Sequence, residues 1–317
     1  MKEIGGFFGL ELSRGREFHE GACALNSARN CLRVIVRSRS IDRLLVPVYA
    51  CEALREALKL EKVEVSPYRI EADFSPVLGS HNDDYLLYIN YFGVNSTNIE
   101  NLLKTHHKVI VDNAQAFFSR PVDKIDTIYS PRKFFGVPDG GYVYGADISL
   151  EDNIETAVSY NRCDHLLKRV DVSASDGYPD FKKAEELIDR DPIRKMSTLT
   201  RALLGSINYE EARSRRLNNF ASLHNALHNY NELSLNPGAY DVPLVYPFLT
   251  KNPILRQTLI QNSIYIAKYW PDPEKRIPSD SWEAYLASNL IPLPIDQRYG
   301  KEDMDVVIAL VMDNITK

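Results

Sequence analysis

The first half of the chain alternates short apolar runs with amphipathic segments. Residues 44–48 (LLVPV) and 108–112 (KVIVD) have the length of buried strands, whereas 51–60 and 98–107 have apolar residues at helical spacing. Further strands are predicted at 63–68, 85–92, 125–130 and 141–145. Strands separated by helices need crossover connections, so the pattern predicts a mainly parallel sheet with helices on both faces. Ligands bind such sheets beyond the carboxyl ends of the strands.

The second half has a different pattern. Residues 151–192 are polar and include SASDGYPD, whose composition predicts turns. A helical pattern follows over 196–230. After it come strand candidates at 242–249 and in NLIPLP, and helix candidates at 253–262 and in the last residues, which together predict a smaller α+β domain. We therefore predict a large domain over residues 1–235 and a small domain over 236–317.

Composition excludes several classes of protein. Of 317 residues, 44% are apolar and 26% are charged, which is typical of a globular chain. The net charge of −5 makes nucleic acid a poor partner, because phosphate binding needs excess basic residues. No apolar stretch could span a bilayer, and the first residues lack a signal-peptide pattern. We expect a cytoplasmic protein without nucleic-acid or membrane partners.

Metal and disulfide sites are not indicated. The four cysteines are unevenly spaced and form no CxxC pair, which suits a reducing cytoplasm. His224 and His228 have helical spacing and could both bind a metal, but no third ligand is near them in sequence. We interpret them as surface or core residues and predict no metal. Arg213, Arg215 and Arg216, on the same predicted helix, are interpreted as a solvated face.

Residues 108–141 combine an acid, an amide and a lysine near the ends of predicted strands. Asp112 ends one strand, Gln115 follows it, and Lys133 comes after the next strand with Ser130 three residues earlier. Pyridoxal phosphate (PLP) needs a lysine that forms a Schiff base with its aldehyde and a carboxylate that keeps its ring nitrogen protonated. Each side chain alone has a structural explanation, but the combination favours PLP.

A second segment could bind the phosphate of that cofactor. The sequence NSARN (26–30) precedes a helical pattern, and Ser27 is a plausible N-cap. Free N–H groups at a helix start suit a phosphate. A capped helix alone would explain this segment, but beside Asp112 and Lys133 a phosphate site is favoured.

These motifs, in the same order over nearly the whole chain, resemble the DegT/DnrJ/EryC1/StrS family of PLP-dependent nucleotide-sugar aminotransferases. The segments that carry the resemblance are NSARNCL, VPVYACEA, NYFG, VDNAQA, PRKFFGVPDGG, KMSTLTRALLG and LIPLPIDQRYG. The resemblance implies the aspartate-aminotransferase-like fold (type I), an α/β fold with a three-layer α/β/α large domain and a small C-terminal α+β domain. It also implies a homodimer with PLP at the subunit interface.

The resemblance assigns catalytic and ring-contacting roles. Lys133 matches the lysine that binds PLP and moves protons, and Asp112 matches the partner of the ring nitrogen. Gln115 matches the residue beside the ring hydroxyl, and Cys51 occupies the position that stacks on the ring.

The resemblance also assigns phosphate contacts. Ser27, Ala28 and Arg29 match the phosphate-binding turn, although Ala28 and Arg29 replace a Gly-Thr pair and so exchange a hydroxyl for a cation. Ile128 replaces the phosphate serine of the family, and Ser130 could substitute for it.

The substrate pocket departs from the family pattern. Ile193 aligns with an asparagine that the partner subunit normally contributes, and the chain is shorter than usual between residues 141 and 196. Asn90 and Tyr91 are candidate substrate contacts because they follow a predicted strand. Tyr178 and Trp270 are weaker candidates.

The leading hypothesis is an aminotransferase that moves an amino group from an amino acid, with glutamate implied by the resemblance, to a keto sugar carried on a nucleotide. Such a reaction would serve polysaccharide or deoxyamino-sugar biosynthesis. Another PLP reaction, such as sugar dehydration or a lyase step, is one alternative, although the sugar dehydratases of this family lack the lysine. A non-catalytic binding protein of the same fold is a second alternative, motivated by the altered phosphate residues and the shortened middle.

Overall fold

The apolar runs of the first half form one large sheet in the computed structural model, which describes residues 4–79, 84–145, 153–270 and 278–315. The predicted strands are confirmed, although the one expected over 85–92 ends at Ile89. The strands of this sheet are β1 (Cys23–Leu25), β2 (Arg43–Pro47), β3 (Glu64–Ile70), β4 (Pro76–Val77), β5 (Tyr85–Ile89), β6 (Val109–Asn113), β7 (Asp126–Tyr129) and β8 (Gly141–Tyr144).

The order of the strands brings the predicted site residues to one edge of the sheet. Their spatial order is β1-β8-β7-β6-β5-β2-β3-β4. The run from β3 through β2, β5 and β6 to β7 is parallel, whereas β4, β8 and β1 pair antiparallel. The α/β class with a mainly parallel sheet is therefore confirmed. The carboxyl ends of β5, β6 and β7 lie side by side, where the residues that follow them can meet.

Helices connect and cover the strands. The helices found in the described residues are α1 (Ala28–Ser38), α2 (Glu52–Leu60), α3 (Ser96–Leu103), α4 (Asp164–Asp171), α5 (Ala174–Asp189), α6 (Thr198–Gly205), α7 (Tyr209–Leu227), α8 (Leu255–Gln261), α9 (Trp282–Asn289) and α10 (Lys301–Ile315). The first of them packs its apolar stripe, which includes Cys31, Leu32 and Ile35, against the sheet. Across the described ranges, no helix is both long and apolar enough to cross a membrane.

A second, two-stranded sheet follows later in the chain. Its strands are β9 (Val245–Leu249) and β10 (Leu290–Pro294), which pair antiparallel. The last helix, α10, packs on α7 and α8. One continuous apolar core joins this region to the large sheet. The second sheet lies after residue 236, but α7 packs against it from the other side of that boundary, so the domain limits of 1–235 and 236–317 stay a prediction.

The turns predicted for SASDGYPD are wrong, because this segment begins the 16-residue helix α5. Ser173 caps the helix by accepting a hydrogen bond from the Asp176 N–H at 3.1 Å. Gly177 allows close packing on α4, since a Cβ at this position would lie 3.0 Å from the His165 carbonyl oxygen. Capping and tertiary packing thus outweigh the low helix propensity of the segment.

Candidate active site

Asp112 lies near the end of β6, a strand whose five residues are all buried. Its Oδ1 accepts a hydrogen bond from the Ala114 N–H at 2.8 Å, which fixes the orientation of the carboxylate. Burial raises the pKa of Asp112, and the nearby positive charge of Lys133 and the Ala114 N–H oppose that rise. The strand end therefore holds a carboxylate that lacks bulk water and has a lysine as its neighbour.

Lys133 ends a short 3₁₀ turn, Pro131–Lys133, that follows β7. Its side chain is exposed, and within the described residues its ammonium has no hydrogen bond or ion pair. Ser130, the last residue before the turn, is buried and accepts a hydrogen bond from the Lys133 N–H at 3.4 Å. The turn thus leaves an unengaged primary amine beside a buried carboxylate.

Cys51 shares this electrostatic neighbourhood. It lies at the N-terminus of α2, where burial raises the pKa of its thiol, Lys133 and Arg29 lower it, and Asp112 raises it further. Three of the residues predicted from separate motifs, Cys51, Asp112 and Lys133, therefore come together at the carboxyl edge of the sheet.

Gln115 supplies a buried donor that has no acceptor. Its Oε1 accepts a hydrogen bond from the Phe92 N–H at 2.8 Å, which orients the amide. Its Nε2 is buried and has no hydrogen-bond partner in the described part of the chain. An unsatisfied buried donor is costly, so this N–H suits a ligand oxygen. With the acid of Asp112 and the amine of Lys133, it fits the ring hydroxyl, ring nitrogen and aldehyde of PLP.

The start of α1 is held tightly against β8. Ser27 caps the helix, its Oγ accepting from the Asn30 N–H at 3.2 Å. Gly140 has a φ of +123°, and its N–H donates to the Asn26 carbonyl at 2.8 Å. A Cβ on Gly141 would lie 2.4 Å from the Ala28 nitrogen. Gly140 and Gly141 therefore allow the start of β8 to lie directly against the predicted phosphate turn.

The side chain of Arg29 is engaged by other protein groups. Its Nε and Nη1 donate to the carbonyls of Ala53 and Ile188 at 3.2 and 3.3 Å, and its Nη2 contacts the carboxylate of Asp189. The guanidinium joins α1 to the start of α2 and the end of α5. Because Asp189 already neutralises it, the expected cationic contribution to phosphate binding is not supported by these contacts.

Asn90 and Tyr91 are fully buried, which argues against the predicted substrate contacts. The Asn90 Nδ2 donates to the Asn113 Oδ1 at 3.0 Å, and the Tyr91 hydroxyl donates to the Tyr49 carbonyl at 2.7 Å. Both side chains are thus satisfied inside the protein. Both residues follow β5 and so lie at the carboxyl edge of the sheet, as predicted, but their side chains point into the core.

Arg216 is the main feature that the sequence interpretation missed. It was interpreted as solvated, but its exposed fraction is 1%. Its Nε donates to the Gln297 Oε1 at 2.9 Å, and its Nη1 donates to the Pro243 and Leu244 carbonyls at 3.3 and 3.0 Å. Its guanidinium also lies over the Phe134 ring, 4.5 Å from the centroid.

The position of Arg216 along α7 was the sequence signal for its burial. The buried residues of α7 are Ala212, Arg216, Asn219, Phe220, Leu223 and Leu227, which recur at helical intervals. A charged residue on the apolar stripe of a helix is expected to be buried with partners. Arg216 also helps to hold Phe134, the residue that follows Lys133. The Gln297 amide that accepts from Arg216 donates its Nε2–H to the Phe134 carbonyl at 2.7 Å.

His19 is a second buried polar residue without a sequence signal. Its Nε2 must donate to the Phe117 carbonyl at 2.8 Å, which leaves Nδ1 as the acceptor for the Tyr144 hydroxyl at 3.2 Å. Aromatic rings surround it, and the Tyr129 ring centroid lies 4.1 Å away. Burial lowers the pKa of His19 to about 4. This neutral histidine packs the N-terminal segment onto the sheet.

A metal centre is not found in the described ranges, where no cluster of three or more metal-ligating side chains occurs. His224 stacks on Phe220, and the His228 Nδ1 bonds to the His224 carbonyl at 2.9 Å. These contacts match the interpretation of the pair as surface or core histidines.

Comparison with known proteins gives a clear result for the fold. No protein-family model matches the sequence, and no curated protein matches it. Solved structures are similar over most of the chain. DesV from S. venezuelae, in complex with a ketimine intermediate, is 17% identical with a TM-score of 0.62, covering 92% of this chain and 84% of DesV.

Two further structures agree. NtdA from Bacillus subtilis, with bound cofactor PMP, is 14% identical with a TM-score of 0.66 and coverage of 93% and 73%. A DegT DnrJ EryC1 StrS aminotransferase from Brucella abortus is 14% identical, with a TM-score of 0.62 and coverage of 93% and 86%. The predicted type I fold is therefore confirmed, and the chain resembles sugar aminotransferases of this family in structure as it does in sequence motifs.

Proposed function

We propose that this chain is a PLP-dependent aminotransferase that transfers an amino group from an amino acid to a keto sugar. The observation that carries the proposal is the meeting of Asp112, Cys51 and Lys133 at one sheet edge, with the unpaired amide N–H of Gln115 nearby. The likeness to DesV, NtdA and the Brucella aminotransferase over more than nine-tenths of the chain supports it.

When bound, PLP supplies an aldehyde that combines with amines and a ring that accepts electrons from the α-carbon of an amino acid. Lys133 would hold the aldehyde through its Nζ, and its side chain is free of other bonds for that purpose. The Lys133 Nζ would also move the proton between the α-carbon of the donor and the C4′ carbon of the cofactor.

Asp112 would hold the ring nitrogen in its protonated form. The Ala114 N–H fixes one carboxylate oxygen, which leaves the other to accept from the ring. Because burial disfavours a lone charge at this position, the carboxylate gains most when a cationic partner joins it. Asp112 is thus arranged for a charge-assisted hydrogen bond in a water-poor site.

The remaining contacts are proposed from the family resemblance. Gln115 would donate its Nε2–H to the ring hydroxyl, and Cys51 would pack against the ring. The helix start at Ser27 and Ala28 would bind the phosphate through backbone N–H groups, with Ser130 as a further donor. Arg29 would support this turn by anchoring it to Asp189 and not by contacting the phosphate.

Finer features of the proposal come from the family resemblance. They are a nucleotide-linked keto sugar as acceptor, glutamate as donor, a homodimer with the site at its interface, a cytoplasmic location and a role in polysaccharide or deoxyamino-sugar biosynthesis. The division into a large domain over 1–235 and a small one over 236–317 belongs to the same proposal.

Absorbance of the purified protein mixed with PLP tests the proposal. Wild type should show a visible band that the Lys133→Ala variant lacks, and glutamate should bleach it. Lys104→Ala, which removes a lysine that caps α3, is the matched control and should behave as wild type. Absence of a Lys133-dependent band would refute the aminotransferase and favour the non-catalytic alternative. A band that no amino donor bleaches would favour another PLP reaction.

A further inference from the structure

Asp139 is a fully buried carboxylate in the loop between the 3₁₀ turn that ends at Lys133 and the start of β8. Three donors from one later segment converge on it. Its Oδ2 accepts from the Ser197 N–H at 3.1 Å, and its Oδ1 accepts from the Ser197 hydroxyl at 2.9 Å. The Thr200 hydroxyl also donates to Oδ1. These donors replace the water that a buried carboxylate loses.

The hydroxyl of Ser197 links this carboxylate to the start of α6. Ser197 caps the helix, since its Oγ accepts from the Thr200 N–H at 3.1 Å. Its single proton is donated to Asp139, so the Ser159 hydroxyl, 2.6 Å away, must donate to Ser197. Both serines are buried. Asp139 is thus the final acceptor of a chain of hydrogen bonds that fixes the start of α6.

The segment directly before α6 supports the predicted phosphate turn. The Met196 N–H donates to the Ala24 carbonyl at 3.1 Å, and the Asn26 N–H donates to the Arg194 carbonyl at 2.9 Å. The turn that begins at Ser27 therefore continues from a strand that is bonded to the same segment that Asp139 holds.

The residues that follow Asp139 close this set of contacts. The Gly140 N–H donates to the Asn26 carbonyl at 2.8 Å, and Gly141 lies directly against Ala28. Three segments are therefore joined in pairs: the lysine loop to the turn, the turn to the segment before α6, and that segment back to the lysine loop. The last of these connections depends on the side chain of Asp139.

We propose that Asp139 is a positioning residue for the cofactor phosphate, because it holds the backbone N–H groups of Ala28 and Arg29 in place through Ser197 and the start of α6. The inference rests on the aminotransferase function proposed above. The first N–H groups of a helix have no partner inside that helix, so the surrounding backbone fixes their positions. The carboxylate itself is engaged by its three donors and would repel a phosphate, so its contribution is indirect.

Visible absorbance of the whole chain, freed of cofactor and titrated with PLP or with 5-deoxypyridoxal, tests this role. The second compound has the ring and aldehyde of PLP and lacks the phosphate, so the ratio of the two dissociation constants measures the phosphate contribution. Asp139→Asn places an NH₂ group among donors. It should weaken PLP binding about tenfold, the value of one hydrogen bond to a charged group, and should leave 5-deoxypyridoxal binding within about twofold of wild type.

Thr200 offers a matched pair of variants that disturb the fold less. Thr200→Val keeps the shape of the side chain and removes the donor to Asp139, so it should lower the ratio in the same direction. Thr200→Ser keeps the hydroxyl and should retain the wild-type ratio. Asp126→Asn is the control, because Asp126 is a buried carboxylate at the start of β7, on the opposite edge of the sheet, where it pairs with Arg39 at 2.8 Å. It should reduce stability and leave the ratio unchanged.

Two results with Asp139→Asn would overturn the proposal. Equal weakening of both compounds would show a role in overall folding alone, and tighter PLP binding would show that the charge of Asp139 acts on the phosphate directly. A band in wild type with an unchanged ratio in the variant would refute only the role of Asp139. Absence of a Lys133-dependent band with either compound would refute the aminotransferase, and the role of Asp139 with it.

Discussion

Replacing Arg216 by methionine should destabilise the protein more than any surface arginine change. Methionine keeps the length of the aliphatic stem and removes the guanidinium. The substitution withdraws the donors that serve the Gln297 Oε1 and the carbonyls of Pro243 and Leu244. The Phe134 carbonyl keeps its hydrogen bond from the Gln297 amide, so the 3₁₀ turn that ends at Lys133 retains one anchor.

The magnitude follows from these contacts. Each buried acceptor that loses its donor costs about 1 kcal/mol or more, so three such acceptors amount to about 3 kcal/mol or more. Loss of the cation–π contact with Phe134 adds about 1 kcal/mol. Removal of a buried charge recovers part of this, which leaves a net loss of about 3 kcal/mol. For a fold that is stable by about 5–15 kcal/mol, this loss is large but survivable.

Urea unfolding followed by circular dichroism measures the difference in free energy of unfolding. Arg215→Met is the matched control, because the neighbouring arginine is half exposed and makes an i,i+4 pair with Glu211. That pair is worth about 0.5 kcal/mol or less. If Arg216→Met lost no more stability than Arg215→Met, the burial and bonding described for Arg216 would be refuted.

Two further changes test other parts of the structure. Gly141→Ala would place a methyl 2.4 Å from the Ala28 nitrogen and should lower the free energy of unfolding by about 1–3 kcal/mol. Gly136→Ala is the control, because its methyl would lie 3.4 Å from a flexible leucine methyl and should be nearly neutral. Equal melting temperatures of the two variants would contradict the close approach of Gly141 to Ala28. His19 has a pKa of about 4 when folded and 6.5 when unfolded, so the unfolded state binds the extra proton in that range. Stability should therefore fall by up to about 3 kcal/mol as pH drops from 6.5 to 4, and His19→Phe should flatten this dependence; parallel pH curves for both proteins would contradict it.

The sequence predicted the sheet well because buried parallel strands are continuous apolar runs. Residues 44–48 and 108–112 have that form, and both became central strands. The end of such a strand also located Asp112, since ligand-binding residues follow strands in this fold class. Local pattern was sufficient wherever burial of one short segment decided its structure.

Local pattern failed where tertiary partners decided the outcome. Arg216 was expected in solvent because its charge dominates the hydropathy of its neighbourhood, yet four distant acceptors bind it. Asn90 follows a strand as predicted, but the direction of its side chain depends on Asn113 of the next strand. The segment that begins with Ser173 has the composition of a turn, and packing of α5 on α4 makes it helical.

The pairing of β1 with β8 affects when the turn at Ser27, the predicted phosphate site, can form during synthesis. Leu25 pairs with Gly141, and the Asn26 N–H donates to the Arg194 carbonyl at 2.9 Å. A nascent chain that has left the ribosome only as far as the first few strands lacks both partners. The turn at Ser27, although encoded near the start, therefore closes only after Arg194 has emerged. If this turn binds the cofactor phosphate as proposed, a ribosome-bound chain does not capture the cofactor early.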